Sequence, residues 1–262
     1  MNSHYSPIGI FDSGYGGLTI FKEIEKLLPQ FDYIYLGDNA RVPYGNRSFE
    51  TVHEFTWQCV QTLFSLGSSF VILACNTASA KALRSIQQKD LPQYAPDKKV
   101  LGVIRPTTEI IIDHTDTGHV GILATKGTVS SESYIIEIKK FFPQLHVYQT
   151  ACPMWVPLIE NNEYNDDGAD FFVKKYIDDL LSQSSEIDTI VLACTHYPLL
   201  IQKIQKYLPK GVNLISQGEI VANSLTDYLE RHVDIRDKLS KGMTRKFYTT
   251  DDTYDFNIKA KI

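Results

Sequence analysis

Along almost its whole length the chain alternates short apolar, β-branched runs with segments whose apolar residues recur at helical spacing. That alternation is the signature of βα units and a parallel sheet, and it excludes all-helical and all-β architectures. The pattern predicts strands over 8–11, 33–36, 70–74, 100–104, 119–123, 145–148, 189–193 and 212–215. Leu18, Ile20, Phe21, Ile24, Leu27 and Leu28 mark a first helix, with Pro29 as its stop. Further helices are expected over 50–66, 78–88, 130–142, 170–181, 198–208 and 220–231.

A length of 262 residues at about 150 per domain leaves room for one large α/β domain or two small ones. No low-complexity linker divides the chain, so its organisation has to be read from repetition. FVILACNTASA at 70–80 and TIVLACTHYPL at 189–199 share one plan: an apolar strand ending in Leu-Ala-Cys, a small Thr-containing turn, then a helix. The two copies lie nearly half the chain apart, as expected of two similar α/β units facing each other.

Composition narrows the function. With 43% hydrophobic and 22% charged residues the chain can bury a sizeable core. No apolar run is long enough to span a bilayer, and Met1–Tyr5 lacks a leader layout, so a cytoplasmic protein is expected. A net charge of −5 argues against a nucleic-acid partner. Cys59, Cys75, Cys152 and Cys194 form no C-x-x-C pair, and the seven histidines show no ligand spacing, so no metal site is expected.

In an open parallel sheet, ligands bind beyond the carboxyl ends of the strands. There the chain places Asp12-Ser13-Gly14-Tyr15-Gly16-Gly17, the segment 37–45, Cys75-Asn76-Thr77, Ala124-Thr125 and Cys194-Thr195-His196. The glycine turn fits no nucleotide fingerprint. It reads either as a turn needing positive φ or as backbone N–H groups that hold a small anion such as a carboxylate. A cysteine is ordinarily a small buried hydrophobe, and Cys59 reads that way. Cys75 and Cys194 sit in mirrored strand-end contexts before helices, where a macrodipole lowers a thiol pKa. Two thiols on opposite walls of a cleft suit two-base proton transfer, one removing a proton from carbon and the other delivering one to the opposite face. Asp12 and His196, at the same strand ends, suit a proton relay, although Asp12 also reads as an N-cap and His196 as a structural histidine.

With these residues in place, the chain resembles the glutamate racemases of the cofactor-independent aspartate/glutamate racemase superfamily. The resemblance runs from Ile8 to about Leu229 and rests on FDSGYGG at 11–17, GDNARVPYG at 37–45, ACNTASA at 74–80, GILAT at 121–125, VPLIE at 156–160 and LACTHYPLL at 192–200. It implies two flavodoxin-like parallel-sheet α/β domains with the active site in the cleft between them. The first domain would comprise 1–104 plus 219–262 and carry Cys75; the second would comprise 105–218 and carry Cys194. It implies a homodimer, no cofactor, and interconversion of L- and D-glutamate that supplies D-glutamate for peptidoglycan. Cys75 would act on the D-enantiomer and Cys194 on the L-enantiomer, assisted by Asp12 and His196, with Asp38 and Glu160 as further acidic catalytic residues. Substrate contacts would fall on Asp12, Ser13, Tyr44, Gly45, Asn76, Thr77, Thr125, Thr195 and His196. Arg105-Pro106-Thr107-Thr108-Glu109 departs from the family pattern at the expected crossing between domains, and beyond Asp234 the match is loose apart from 247–250, a candidate late strand.

Three rivals stand beside this reading. An aspartate or hydantoin racemase would share the chemistry and differ in the pocket. A non-catalytic binding module would close on a small anion without exchanging its α-proton. A thiol hydrolase would need only one of the two cysteines.

Overall fold

The computed structural model describes residues 6–259. Residues 1–5, on which the expectation of no leader rests, lie outside that span. Nine strands occur among the described residues: β1 (Ile8–Asp12), β2 (Tyr33–Gly37), β3 (Phe70–Leu73), β4 (Lys99–Gly102), β5 (His119–Ala124), β6 (His146–Ala151), β7 (Thr189–Ala193), β8 (Asn213–Ile215) and β9 (Arg245–Thr249). They form two sheets, β4-β3-β1-β2-β9 and β6-β5-β7-β8, with every pairing parallel. Two parallel-sheet α/β domains are therefore present. Helices cover both faces, which is why β1, β2, β3 and β7 are buried at every position and read as unbroken apolar runs. Among the described residues no helix is long and apolar enough to cross a membrane.

The chain leaves the first sheet after β4 through the helix Ile104–Ile110 and returns after β8 through the helix Gln217–Arg231, which packs on the helix Leu18–Leu27. It then adds β9 to the edge of the first sheet, in register with β2 from Tyr33↔Arg245 to Gly37↔Thr249. Asp32 holds the approach to β9, accepting hydrogen bonds from the backbone of Gly242 (3.0 Å) and Thr244 (2.8 Å) and from the Thr244 hydroxyl (2.6 Å). A continuous buried cluster joins Ile8, Tyr15 and Ile24 to Trp155, Ile190 and Tyr197, so the two sheets share a core.

Some local expectations are corrected. The helix expected over 78–88 starts at Asn76, and after Lys81 it breaks into short turns. Ile104, read as the end of a strand, opens a helix instead, and Trp155–Glu160 is a helix where no element was expected.

Candidate active site

The strand order reverses beside β1 in the first sheet and beside β5 in the second, and open sheets bind ligands at such switch points. The loops after β1 and β3 bring Asp12, Ser13 and Cys75 to one wall. Those after β5 and β7 bring Thr125, Cys194, Thr195 and His196 to the other. Both thiols line one cavity of about 30 Å³, with Ser13, Tyr44, Gly45, Asn76, Thr77, Thr125, Thr195 and His196 around them. Cys152 and Lys126 also line it, and no strand-end argument singled them out. The walls touch directly: Thr77 Oγ1 lies 2.9 Å from Thr125 Oγ1, Thr195 Oγ1 donates to Asp12 Oδ2 at 3.2 Å, and the Tyr15 hydroxyl donates to the Ile159 carbonyl at 2.8 Å.

Each sulfur has its own surroundings. Cys75 caps the helix Asn76–Lys81, its sulfur accepting from the Ala78 N–H at 3.5 Å while its thiol donates to Ser13 Oγ at 3.5 Å. Burial, reinforced by the negative charge of Asp12, pushes the Cys75 thiol up to about 12. The expectation that a helix start lowers this pKa is thus overturned, because a short helix offers less than desolvation removes. Burial also raises Asp12, only partly offset by His196 and the N–H groups of Gly14 and Gly17.

Cys194 lies 3.9 Å from His196 Nδ1, and His196 Nε2 lies 2.6 Å from Glu160 Oε1. Burial alone would lower the imidazole's pKa, but its contacts with Cys194 and Glu160 win and raise it well above the ordinary histidine value. His196 thus stands between the two groups, one ring nitrogen toward sulfur and the other toward carboxylate, with both contacts favouring its protonated form. One wall holds a thiol and a buried carboxyl; the other holds a sulfur beside a proton-bearing ring.

Asp38 is the expected catalytic residue that the structure does not bring to the thiols. It accepts hydrogen bonds from the Tyr44 hydroxyl, from Arg41 Nε (2.7 Å) and from Thr250 Oγ1 (2.8 Å), so it stands behind the cavity and holds Tyr44, which lines it. The glycine turn is corrected as well. None of Gly14, Gly16 and Gly17 has positive φ. Gly16 is needed because a Cβ there would overlap the His196 imidazole. The Gly14 N–H is already taken by Asp12 Oδ1 at 3.0 Å, so it is not a free anion donor. Among the described residues, no group of three or more His, Cys, Asp or Glu converges as a metal site.

Fold and site together define a two-unit α/β protein in which one strand-end thiol from each unit faces a shared cleft. The chain belongs to the Asp/Glu/Hydantoin racemase family, which it matches over residues 8–225. It is 40% identical to the glutamate racemase of Persephonella marina over 250 residues, 95% of this chain and 90% of that protein. Among solved structures it is similar to a glutamate racemase isoform from Bacillus anthracis, with a TM-score of 0.88, 34% identity, and coverage of 98% of this chain and 93% of that one. It is also similar to the glutamate racemase of Francisella tularensis in complex with D-glutamate, with a TM-score of 0.84, 32% identity, and coverage of 99% and 93%.

Proposed function

We propose that this chain is a glutamate racemase that interconverts L- and D-glutamate by two-base proton transfer at the α-carbon, with no cofactor. The observation that carries this reading is the pair of thiols lining one cavity from opposite walls, each with its own proton partner. The glutamate racemase activity of the relatives, and the D-glutamate held by the Francisella tularensis enzyme, support glutamate as substrate.

In one direction the Cys75 thiolate removes the α-proton, the electron pair is held as a carbanion beside the substrate carboxylate, and the Cys194 thiol delivers a proton to the opposite face. The reverse direction exchanges the roles. The balance is one proton taken and one given, with configuration inverted. Because burial raises the Cys75 thiol above the ordinary thiol range, its thiolate is a stronger base than a free one, and this narrows the gap to a weakly acidic C–H. Asp12 accepts the Cys75 proton before the attack, and His196 with Glu160 supplies or takes the proton on the Cys194 side. Asp38 acts through Tyr44 as a positioning residue.

The same proposal includes the domain division at 104/105 and 218/219, a homodimer, a cytoplasmic location and a role in supplying D-glutamate for peptidoglycan. Cys75→Ala and Cys194→Ala are each expected to abolish racemisation, followed by circular dichroism of enantiopure glutamate, with the fold retained. Activity surviving either change overturns the two-base reading. In deuterated water each enantiomer gains α-deuterium as it inverts, and added pyridoxal phosphate leaves the rate unchanged. Loss of signal with aspartate but not glutamate would move the substrate to the smaller acid.

A further inference from the structure

Gln217 belongs to none of the motifs that mark the site, yet it is buried and fully bonded. Its Oε1 accepts from Asn76 Nδ2 at 2.6 Å, and its Nε2 lies 2.8 Å from the Tyr134 hydroxyl, which donates to Asn76 Oδ1 at 2.7 Å. These three contacts close a ring in which every group donates in the same rotational sense. Reversing one amide alone would set nitrogen against nitrogen or oxygen against oxygen, and the Val103 carbonyl beside Gln217 Nε2, which can only accept, fixes the sense of the ring and with it the orientation of Asn76. Burial raises the Tyr134 phenol, which keeps its proton to donate.

Asn76 follows Cys75 directly, lines the cavity, and retains a second N–H beyond the one that Gln217 takes. Gln217 Nε2 also reaches Thr107 Oγ1 at 2.8 Å and the Val103 carbonyl at 3.2 Å. Val103 and Thr107 lie on the segment leaving the first sheet, and Gln217 opens the helix that returns to it. One side chain thus ties both crossings to a cavity-lining amide.

We infer that Gln217 is a positioning residue for racemisation, holding the Asn76 amide so that its free N–H is presented to a substrate carboxylate. The inference rests on the racemase reading above and deepens it. The chemistry recognised is a carboxylate, because an N–H aimed from a buried wall suits an oxyanion and repels an ammonium.

The test is a double-mutant cycle on the full chain, with racemisation of both enantiomers by the unmodified protein measured first. Gln217→Met keeps length and apolar volume but removes the amide, and is expected to lower kcat/KM about tenfold or more, mainly through KM. The equilibrium constant between enantiomers is one, so kcat/KM must fall equally in both directions. The Gln217→Met/Asn76→Ala double variant is expected to be no worse than Asn76→Ala alone, since Gln217 acts through Asn76. Tyr134→Phe opens the ring by one hydroxyl, and is expected to give a smaller loss with the same non-additivity even if Gln217→Met folds poorly. Gln217→Glu adds a readout that packing does not move: only the protonated carboxyl can both accept from Asn76 and donate to Tyr134, so its activity relative to the parent should rise as pH falls.

Multiplicative losses in the double variant, or parental KM and kcat/KM in both Gln217→Met and Tyr134→Phe, overturn the inference while leaving the racemase reading intact. Absence of racemisation in the unmodified protein overturns both.

Discussion

At the scale of single residues, the site is built by backbone pressed against an imidazole. A Cβ at Gly16 has no space beside His196, and Gly14 lacks it too, because a Cβ there would stand 2.8 Å from Glu160 Oε1. Gly16→Ala should therefore displace the ring and lower kcat by about tenfold to a hundredfold, since misplacement on the 1 Å scale carries losses of that order. Steady-state kinetics with unchanged circular dichroism of the fold would check it. His196 also sets a pH dependence. Its pKa in the fold is raised above the unfolded value near 6.5. The stabilisation it provides is then complete below about pH 6.5 and is lost as pH rises through the elevated value. Glu160→Gln removes one support of the imidazolium, so the alkaline loss of stability should move to lower pH, as read from denaturant unfolding across pH. An unmoved alkaline limb would show that Glu160 does not hold the ring charged. The sequence already marked Cys75, Cys194, Asp12 and His196 as chemically poised, because strand ends of this fold are where polar groups meet. It left Asp38 beside them, since a carboxylate one layer behind a cavity has the same local signature as one inside it.

The elements were legible wherever their signal was local. Buried parallel strands announce themselves as apolar runs, and β1, β2, β3, β5 and β7 fall where periodicity puts them. Two missed helices share one cause: Ile104–Ile110 and Trp155–Glu160 each carry proline in the third helical position, Pro106 and Pro157, which reads as a breaker. In the first turn a proline removes no intrahelical hydrogen bond, so both helices form. Gln217 was illegible for a different reason, because its partners at 76, 103, 107 and 134 are joined to it only by the fold. Asp32 is the comparable anchor for β9, and three hydrogen bonds to its carboxylate outweigh the cost of burying it. Asp32→Ala should cost about 2–3 kcal/mol, seen as a lower denaturant midpoint, with protection from hydrogen exchange lost first along 244–249. Equal protection there in parent and variant would count against this anchoring.

For the whole molecule the decisive fact is a cleft whose walls already touch. A cavity of about 30 Å³ holds roughly two waters, so an amino acid with two carboxylates enters only when the contacts Thr77–Thr125, Asp12–Thr195 and Tyr15–Ile159 part. Alkylation of Cys75 and Cys194 by iodoacetamide should therefore be slowed by closure, on top of the raised pKa of Cys75. Tyr15→Phe, which removes one bridging hydroxyl, should speed it several-fold, and D-glutamate should slow it; peptide mapping by mass spectrometry reads each site. Labelling as fast as that of a free thiol would mean that the walls do not hold together in solution. That two units face each other was legible in the repeated Leu-Ala-Cys plan, but that they close to contact was not, because contact depends on side chains from segments far apart in the chain. The return of the chain to its first sheet has a further consequence, for synthesis. β9 is made after the whole second sheet, so a growing chain carries β2 as a bare edge until residue 249 has emerged. Through that interval the nascent protein offers an unpaired β edge of the kind that recruits other chains. Slower completion of the chain lengthens the time for which that edge stays uncovered.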